Sequence, residues 1–316
     1  MTEDRALVNA VFPNRDIVSM STSRAGNFKR TVAVWFEAHD PVVVQYSSET
    51  SLRTEGELTR AIGGRTSVPV PRILEIGGHR SASYIVSELA PGQNLHSHFT
   101  GLDRGTQRHI SREFGRYLGE IHEAFDFDGV GPVSSTGGSE CLRFNATETD
   151  DFAGWFRRYA REGIEVLPEA FDPVRGRLAD AILSRPYESG WEPRLFPWDL
   201  RPGNALALDG ELSAVLDWGD PLAAPPELAV AKARHLVADW YVEDAQPLRS
   251  AFRDGYESVR AYPTVPTAFE LVGVVRSAVD SHGVVTRPRY PEWTGDEAVQ
   301  FHLDRLTELL SATDED

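Results

Sequence analysis

Asp199, Asn204 and Asp217 are oxygen donors whose spacing invites a chemical reading. Asn204 follows Asp199 by five positions and Asp217 follows it by eighteen, within Leu195-Phe196-Pro197-Trp198-Asp199-Leu200-Arg201-Pro202-Gly203-Asn204 and the later Asp217-Trp218-Gly219-Asp220. Hard divalent cations bind such oxygens, and a carboxylate beside a hydroxyl can accept or orient its proton. Each residue alone is an ordinary turn or surface residue, so the set matters only if the chain folds it together. Asp209-Gly210 supplies the means, because it is a strong two-residue hairpin signal between the strand-like runs Ala205–Leu208 and Leu212–Leu216. Pairing 208 with 211 sets 204 opposite 215 and 202 opposite 217. Asn204 and Asp217 then leave the same open end of one hairpin, two residues out of register and roughly 7 Å apart.

Further blocks lie upstream. They are the proline-rich Val68-Pro69-Val70-Pro71-Arg72, then Tyr84-Ile85-Val86-Ser87-Glu88-Leu89-Ala90-Pro91-Gly92, and Leu118-Gly119-Glu120-Ile121-His122. Together with the Asp199 to Gly219 segment they resemble the aminoglycoside phosphotransferase family of kinase-like small-molecule phosphotransferases. In that family the pattern runs His-Gly-Asp-x-x-x-x-Asn and then Asp-Trp/Phe-Gly. The likeness covers about residues 15–260, and 199–220 is its specific part.

What the resemblance implies is a phosphotransferase moving the γ-phosphate of ATP or GTP to a hydroxyl of a small molecule, with Mg²⁺. Asp199 would accept or orient the proton of that hydroxyl, and Asn204 and Asp217 would hold the metal against the phosphates. Arg201 would face the transferring phosphoryl group; its other reading is a simple ion pair with Asp199 or Glu192. Glu88 and Ala90 would offer backbone groups to the base at a hinge near 88–92. The loop containing Ser23, Gly26 and Asn27 would cover the phosphates. Two positions depart from the pattern. The basic residue of the third strand falls at Gln45, which can donate a hydrogen bond but adds no charge. Its helix partner is present as Glu55, and Lys29 lies on a different segment. Pro197-Trp198 replaces His-Gly before Asp199. These departures favour the alternative, a kinase-like nucleotide-binding protein with a sensing role and no transferase activity. Intact Asp199, Asn204 and Asp217 favour the enzyme.

The elements that must position these residues follow from periodicity. Val32–Phe36 and Val42–Tyr46 read as a hairpin around Asp40-Pro41, preceded by a polar loop, Ser19 to Asn27. Ser51–Ile62 is helical, with Leu52, Glu55, Leu58 and Ile62 on one face, and Ile73–Ile76 and Ser83–Leu89 are further strands. Thr106–Phe125, Phe152–Ala160, Pro173–Leu183 and the chain beyond Glu227 are mainly helical. The expected fold is therefore α+β and protein-kinase-like. It has a small antiparallel sheet lobe with one helix over 1–90, and a larger, mainly helical lobe over 91–316 that carries the hairpin at about 195–220. His122, on an apolar helix face, reads as a packing histidine, and His96 and His98 lack a third metal ligand.

Composition narrows the partners. The 316 residues carry a formal net charge of −16 and show no basic stripe, which excludes a nucleic-acid binder. No run of apolar residues reaches the ~18 that a membrane helix needs, and the first residues do not read as a signal peptide. A cytoplasmic protein is expected, and the resemblance implies a small hydroxylated substrate as its partner. Only Lys29 and Lys232 are lysines among the 32 basic residues, so arginine supplies the other 30. Surplus carboxylates with few lysines suggest a haloarchaeal type of surface; a GC-rich genome would give the same lysine shortage.

Overall fold

Alternating burial along Arg30–Phe36 and Val42–Ser47 turns one face of each strand inward, and the sheet grows from that pair. The protein is described by a computed structural model covering residues 2–23, 29–48, 51–136, 142–147, 151–187, 190–280, 283–287 and 293–313. Helix α1 (Thr2–Val11) precedes β1 (Ile17–Ser23), β2 (Arg30–Phe36), β3 (Val42–Ser47), α2 (Ser51–Arg65), β4 (Ile73–His79) and β5 (Ala82–Glu88). The five strands form one antiparallel sheet in the order β1-β2-β3-β5-β4.

Two details of this lobe differ from the sequence reading. Ser19–Ser23, expected in a loop, belongs to β1, because pairing from Ser19↔Trp35 to Ser23↔Thr31 satisfies its backbone whatever the low strand propensity of serine. Gly26 and Asn27 lie outside the described residues, as does the side chain of Ser23. The lobe also carries α1, a second helix beside α2. Leu7, Val8 and Phe12 bury against Val32, Val34, Val44 and Val86 of the sheet. Asp4 fastens α1 there, accepting from Arg30 at 2.8 and 2.9 Å and from the Tyr46 hydroxyl at 2.5 Å. The Arg30 guanidinium holds the Asp4 carboxyl well below the usual carboxylate range.

After the hinge come β6 (Gln93–Asn94), α3 (Leu95–His98), α4 (Arg104–Ala124), β7 (Gly131–Thr136), β8 (Arg143–Ala146), α5 (Phe152–Glu165), α6 (Asp172–Leu183), β9 (Arg194–Phe196), β10 (Ala205–Leu208), β11 (Glu211–Val215) and β12 (Leu222–Ala224). The chain continues through α7 (Pro226–Arg234), a π-helical turn (His235–Asp239), α8 (Gln246–Glu257), α9 (Thr267–Val275), the short pair β13 (Thr286–Arg287) and β14 (Trp293–Thr294), and α10 (Asp296–Thr313). Small sheets, β11-β10-β6 and β8-β7-β12-β9, sit between the strand lobe and the helices. Phe114, Phe156, Phe171, Phe252, Phe269 and Tyr256 are fully buried in the helical core. His122 packs there as expected, with Nδ1 2.8 Å from the Tyr256 hydroxyl.

Helices α4 and α8 meet backbone to backbone. A Cβ added at Gly115 would stand 1.9 Å from the Phe252 carbonyl oxygen, and one at Gly255 would stand 1.9 Å from that of Arg112. Both contacts are with backbone, which cannot swing aside. Gly115→Ala should therefore destabilise the protein by about 2–3 kcal/mol, at the upper end for overpacking a core. Its melting temperature should fall by several degrees, while Gly64→Ala, which meets open space, should leave it unchanged or raised.

Candidate active site

The hairpin that carries Asn204 and Asp217 forms, with a register that differs from the expected one. Leu208 pairs with Glu211 and Ala207 with Leu212, but Leu206 then pairs with Ala214 and Ala205 with Val215. Ser213 is the extra residue of a β-bulge. Its hydroxyl donates to the Pro91 carbonyl at 2.6 Å, an external bond that holds it out of the ladder. The bulge sets 204 against 216 rather than 215, and Leu216 N–H donates to the Asn204 carbonyl at 2.7 Å. Asn204 and Asp217 are thus one residue out of register, not two.

Asp199 sits half-buried in the turn after β9, held on one oxygen. Arg201 Nε and Asn204 Nδ2 each donate to its Oδ2 at 2.9 Å, and the same Nδ2 donates to the Asp199 carbonyl at 2.9 Å. Oδ1 receives no hydrogen bond from the described residues. Arg201 therefore realises the ion-pair reading and fixes the orientation of Asp199; its guanidinium also lies 5.8 Å from the Trp240 ring centre. Because Asn204 spends its amide hydrogens on Asp199, its carbonyl oxygen remains as a hard donor.

Asp217 follows β11 in the left-handed region at φ 63°, which aspartate tolerates better than most residues. Trp218 Nε1 donates to the Val215 carbonyl at 3.1 Å and pins the turn. Asp217 Oδ1 accepts from Lys29 Nζ at 2.8 Å, and the same ammonium pairs with Glu55 of α2. Burial opposes the charge on Lys29, yet Glu55 and Asp217 outweigh it and push the ammonium above its usual range. The partner of Glu55 is therefore Lys29, just before β2. Gln45 on β3, the position expected for the cation, sits opposite Thr31, with Nε2 3.5 Å from its hydroxyl.

Glu88 and Ala90 stand at the end of β5 and just beyond it. Glu88 ends β5, donates its N–H to the Arg72 carbonyl at 3.0 Å, and engages Arg72 through its carboxylate. Leu89 N–H donates to the Pro41 carbonyl at 3.4 Å, while Ala90 N–H has no backbone partner among the described residues. Gly92 follows at φ +118°, and a Cβ there would meet Ser213 Oγ at 2.5 Å and the Ala207 carbonyl oxygen at 2.7 Å.

A second part of the site was not read from the sequence. Beside Asp199 opens a cleft of about 390 Å³, walled by Trp155 and Tyr159 of α5, Trp198, Arg276, and Pro132 and Leu222 of the paired β7 and β12. The Arg276 guanidinium lies 4.3 Å from the Tyr159 ring centre and 5.0 Å from that of Trp198. Lys232 Nζ lies 3.4 Å from the Trp198 ring centre. Burial drives the Lys232 ammonium down to about 7, with Asp199 opposing that shift and Arg276 and Arg201 adding to it. Trp198 thus fills a structural position with an aromatic ring that two cations contact.

Among the described residues no group of three histidine, cysteine or acidic side chains forms a metal cluster, and no helix is long and apolar enough to cross a membrane. The oxygens of Asn204 and Asp217 nevertheless suit a hard cation that completes its shell with phosphate and water.

Similar folds are found among solved structures. Aminoglycoside phosphotransferase APH(4)-Ia superposes with a TM-score of 0.63 at 15% identity over 99% of this chain and 97% of that one. A putative fructosamine-3-kinase from Haemophilus somnus 129PT gives 0.58 at 14% identity over 96% of both chains. The GDP and kanamycin complex of APH(2")-IIia gives 0.59 at 14% identity over 100% and 98%. A search of curated proteins finds no match. The two-lobe kinase-like fold is shared with these proteins, and the model of the phosphotransferase enzyme family matches residues 24–266, which include Lys29, Glu55, the hinge, Asp199, Asn204 and Asp217. The chain belongs to the phosphotransferase enzyme family.

Proposed function

We propose that the protein transfers the terminal phosphoryl group of ATP or GTP to a hydroxyl of a small molecule. The observation that carries this reading is the meeting of Lys29, Glu55 and Asp217 at the cleft between the lobes, with Asp199 and Asn204 on the adjoining turn. Phosphoryl transfer asks mainly for positioned groups and charge neutralisation. Lys29 supplies the phosphate-facing cation that Gln45 lacks, which removes the main objection to an active enzyme. Glu55, anchored in α2, sets where that ammonium can go.

Asp199 receives the acceptor proton on Oδ1 while Arg201 and Asn204 hold Oδ2 still. The acceptor oxygen then bonds to phosphorus as the bond to the nucleoside diphosphate breaks. Asn204 and Asp217 would hold Mg²⁺, which when bound neutralises phosphate oxygens. Glu88 and Ala90 present backbone groups to the base.

Thermal denaturation tests the nucleotide part. ATP or GTP should raise the melting temperature by several degrees with Mg²⁺ and by much less with EDTA, as expected when ligand is well above its Kd. In Asp217→Ala the metal-dependent part should disappear. Equal shifts with and without metal would overturn the assignment of Asn204 and Asp217.

A further inference from the structure

The cleft beside Asp199 is lined by Arg158, Glu162, Asp220 and Arg276, of which Arg276 alone is withdrawn from solvent. Its aromatic floor is crossed by Arg276, half-buried and stacked between Tyr159 and Trp198, and the Nε of that guanidinium is buried without a hydrogen-bond partner. Behind the same tryptophan stands Lys232, 3% exposed. Neither cation forms an ion pair with a described carboxylate, although most buried charges are paired. The carboxylates at this cleft, Glu162 and Asp220, are both exposed, where water and salt weaken their pull. An ammonium on the aromatic floor would lie against Arg276, with no buried carboxylate of the lining to offset it.

We propose that this cleft binds the phosphoryl acceptor as an anion: a small hydroxylated molecule that carries its own carboxylate or phosphate. The anionic group pairs with Arg276 in a field that Lys232 keeps positive, and an apolar face of the molecule lies on Trp155, Tyr159 and Trp198. The proposal deepens the phosphotransferase reading and rests on it. Three features give it shape. A volume of about 390 Å³ suits a small molecule rather than a polymer. Trp198 is joined by one peptide bond to Asp199, so a molecule on its ring lies next to the proton acceptor. Lys232, near neutrality in its affinity for a proton, gains charge when an anion arrives, which strengthens the same pairing.

The test uses the full-length protein with Mg²⁺ and two matched probes, glucuronate and glucose, which differ at one carbon by a carboxylate. Glucose 6-phosphate separates a phosphate from a carboxylate preference, and kanamycin represents a polycationic acceptor. Binding is read by calorimetry with a non-hydrolysable nucleotide, and turnover by nucleotide consumption. At least one of the two anions should bind roughly 10–100-fold more tightly than glucose, the range of one charge-assisted hydrogen-bonded pair. Arg276→Gln should erase that preference and leave the Mg²⁺-dependent nucleotide shift unchanged, and Arg276→Lys should restore part of it. Tighter binding of glucose or kanamycin than of both anions, or an anion preference that survives in Arg276→Gln, overturns the proposal. Because calorimetry does not require turnover, absence of an anion preference in the unsubstituted protein, with nucleotide binding intact, sinks this inference alone. Absence of the Mg²⁺-dependent nucleotide shift sinks the phosphotransferase reading.

Discussion

Asp199→Asn is expected to lower acceptor-dependent phosphoryl transfer by about 10²–10⁴-fold, the usual worth of a positioned general base. The geometry explains why this substitution isolates the chemistry. Arg201 and Asn204 both donate to Oδ2, and an amide oxygen at that place accepts the same two hydrogen bonds. The turn should therefore keep its shape, and what is lost is a group able to take the hydroxyl proton. Nucleotide affinity, measured by the Mg²⁺-dependent thermal shift, should stay within about twofold, because Asp199 faces the acceptor. Loss confined to kcat, with KM for nucleotide unchanged, is the expected signature. A variant that turns over at the wild-type rate would remove Asp199 from the mechanism, and one that no longer binds nucleotide would assign it to the metal.

The second large effect concerns Lys29. Lys29→Met should reduce transfer by about 10²–10³-fold, comparable to deleting one preorganised donor at a site of developing charge. It should also destabilise the fold, since Glu55, with a side chain only 8% exposed, is left without its cation; removing one partner of a buried pair costs about 3–5 kcal/mol. The two losses can be separated. Lys29→Met with Glu55→Gln should regain most of the stability and none of the activity. Lys29→Met with Gln45→Lys should regain part of both, because β3 runs beside β2 with Gln45 opposite Thr31. Full activity in Lys29→Met would show that the phosphates are neutralised elsewhere.

The catalytic turn was legible because its spacing depends on a local device. Asp209-Gly210 forces a tight hairpin, and any hairpin there brings 204 and 217 to one end. What sequence alone missed was the bulge at Ser213, since the bond that holds it comes from Pro91, more than a hundred residues away. The partner of Glu55 is expected on β3 by analogy, whereas proximity in a sheet runs sideways as well as along the chain, and Lys29 reaches Glu55 from just before the neighbouring strand. Composition held a signal for this. In a chain where arginine supplies 30 of 32 basic residues, the two lysines both stand at the site, one on Glu55 and Asp217 and the other on Trp198. Helix α1 was missed because ten residues of mixed polarity show weak periodicity, and its docking depends on Asp4 meeting Arg30 and Tyr46. The cleft beside Asp199 was out of reach because α5, the turn at Trp198 and the end of α9 are distant in sequence.

Strand β11 makes two contacts with the strand lobe and the hinge that follows it. Ser213 holds the Pro91 carbonyl at 2.6 Å and Val215 N–H holds the Pro69 carbonyl at 2.7 Å. In mechanical terms β11 is a doorpost with two pins, one on the hinge after β5 and one on the proline-rich connector before β4. A body hung on two pins along one post can swing about that post and resists sliding or twisting. Asp217, two residues beyond the upper pin, lies close to that axis and would barely travel in such a swing. The turn holding Asp199, Asn204 and Asp217 belongs to the post, so a swing of the strand lobe would leave those three side chains in place.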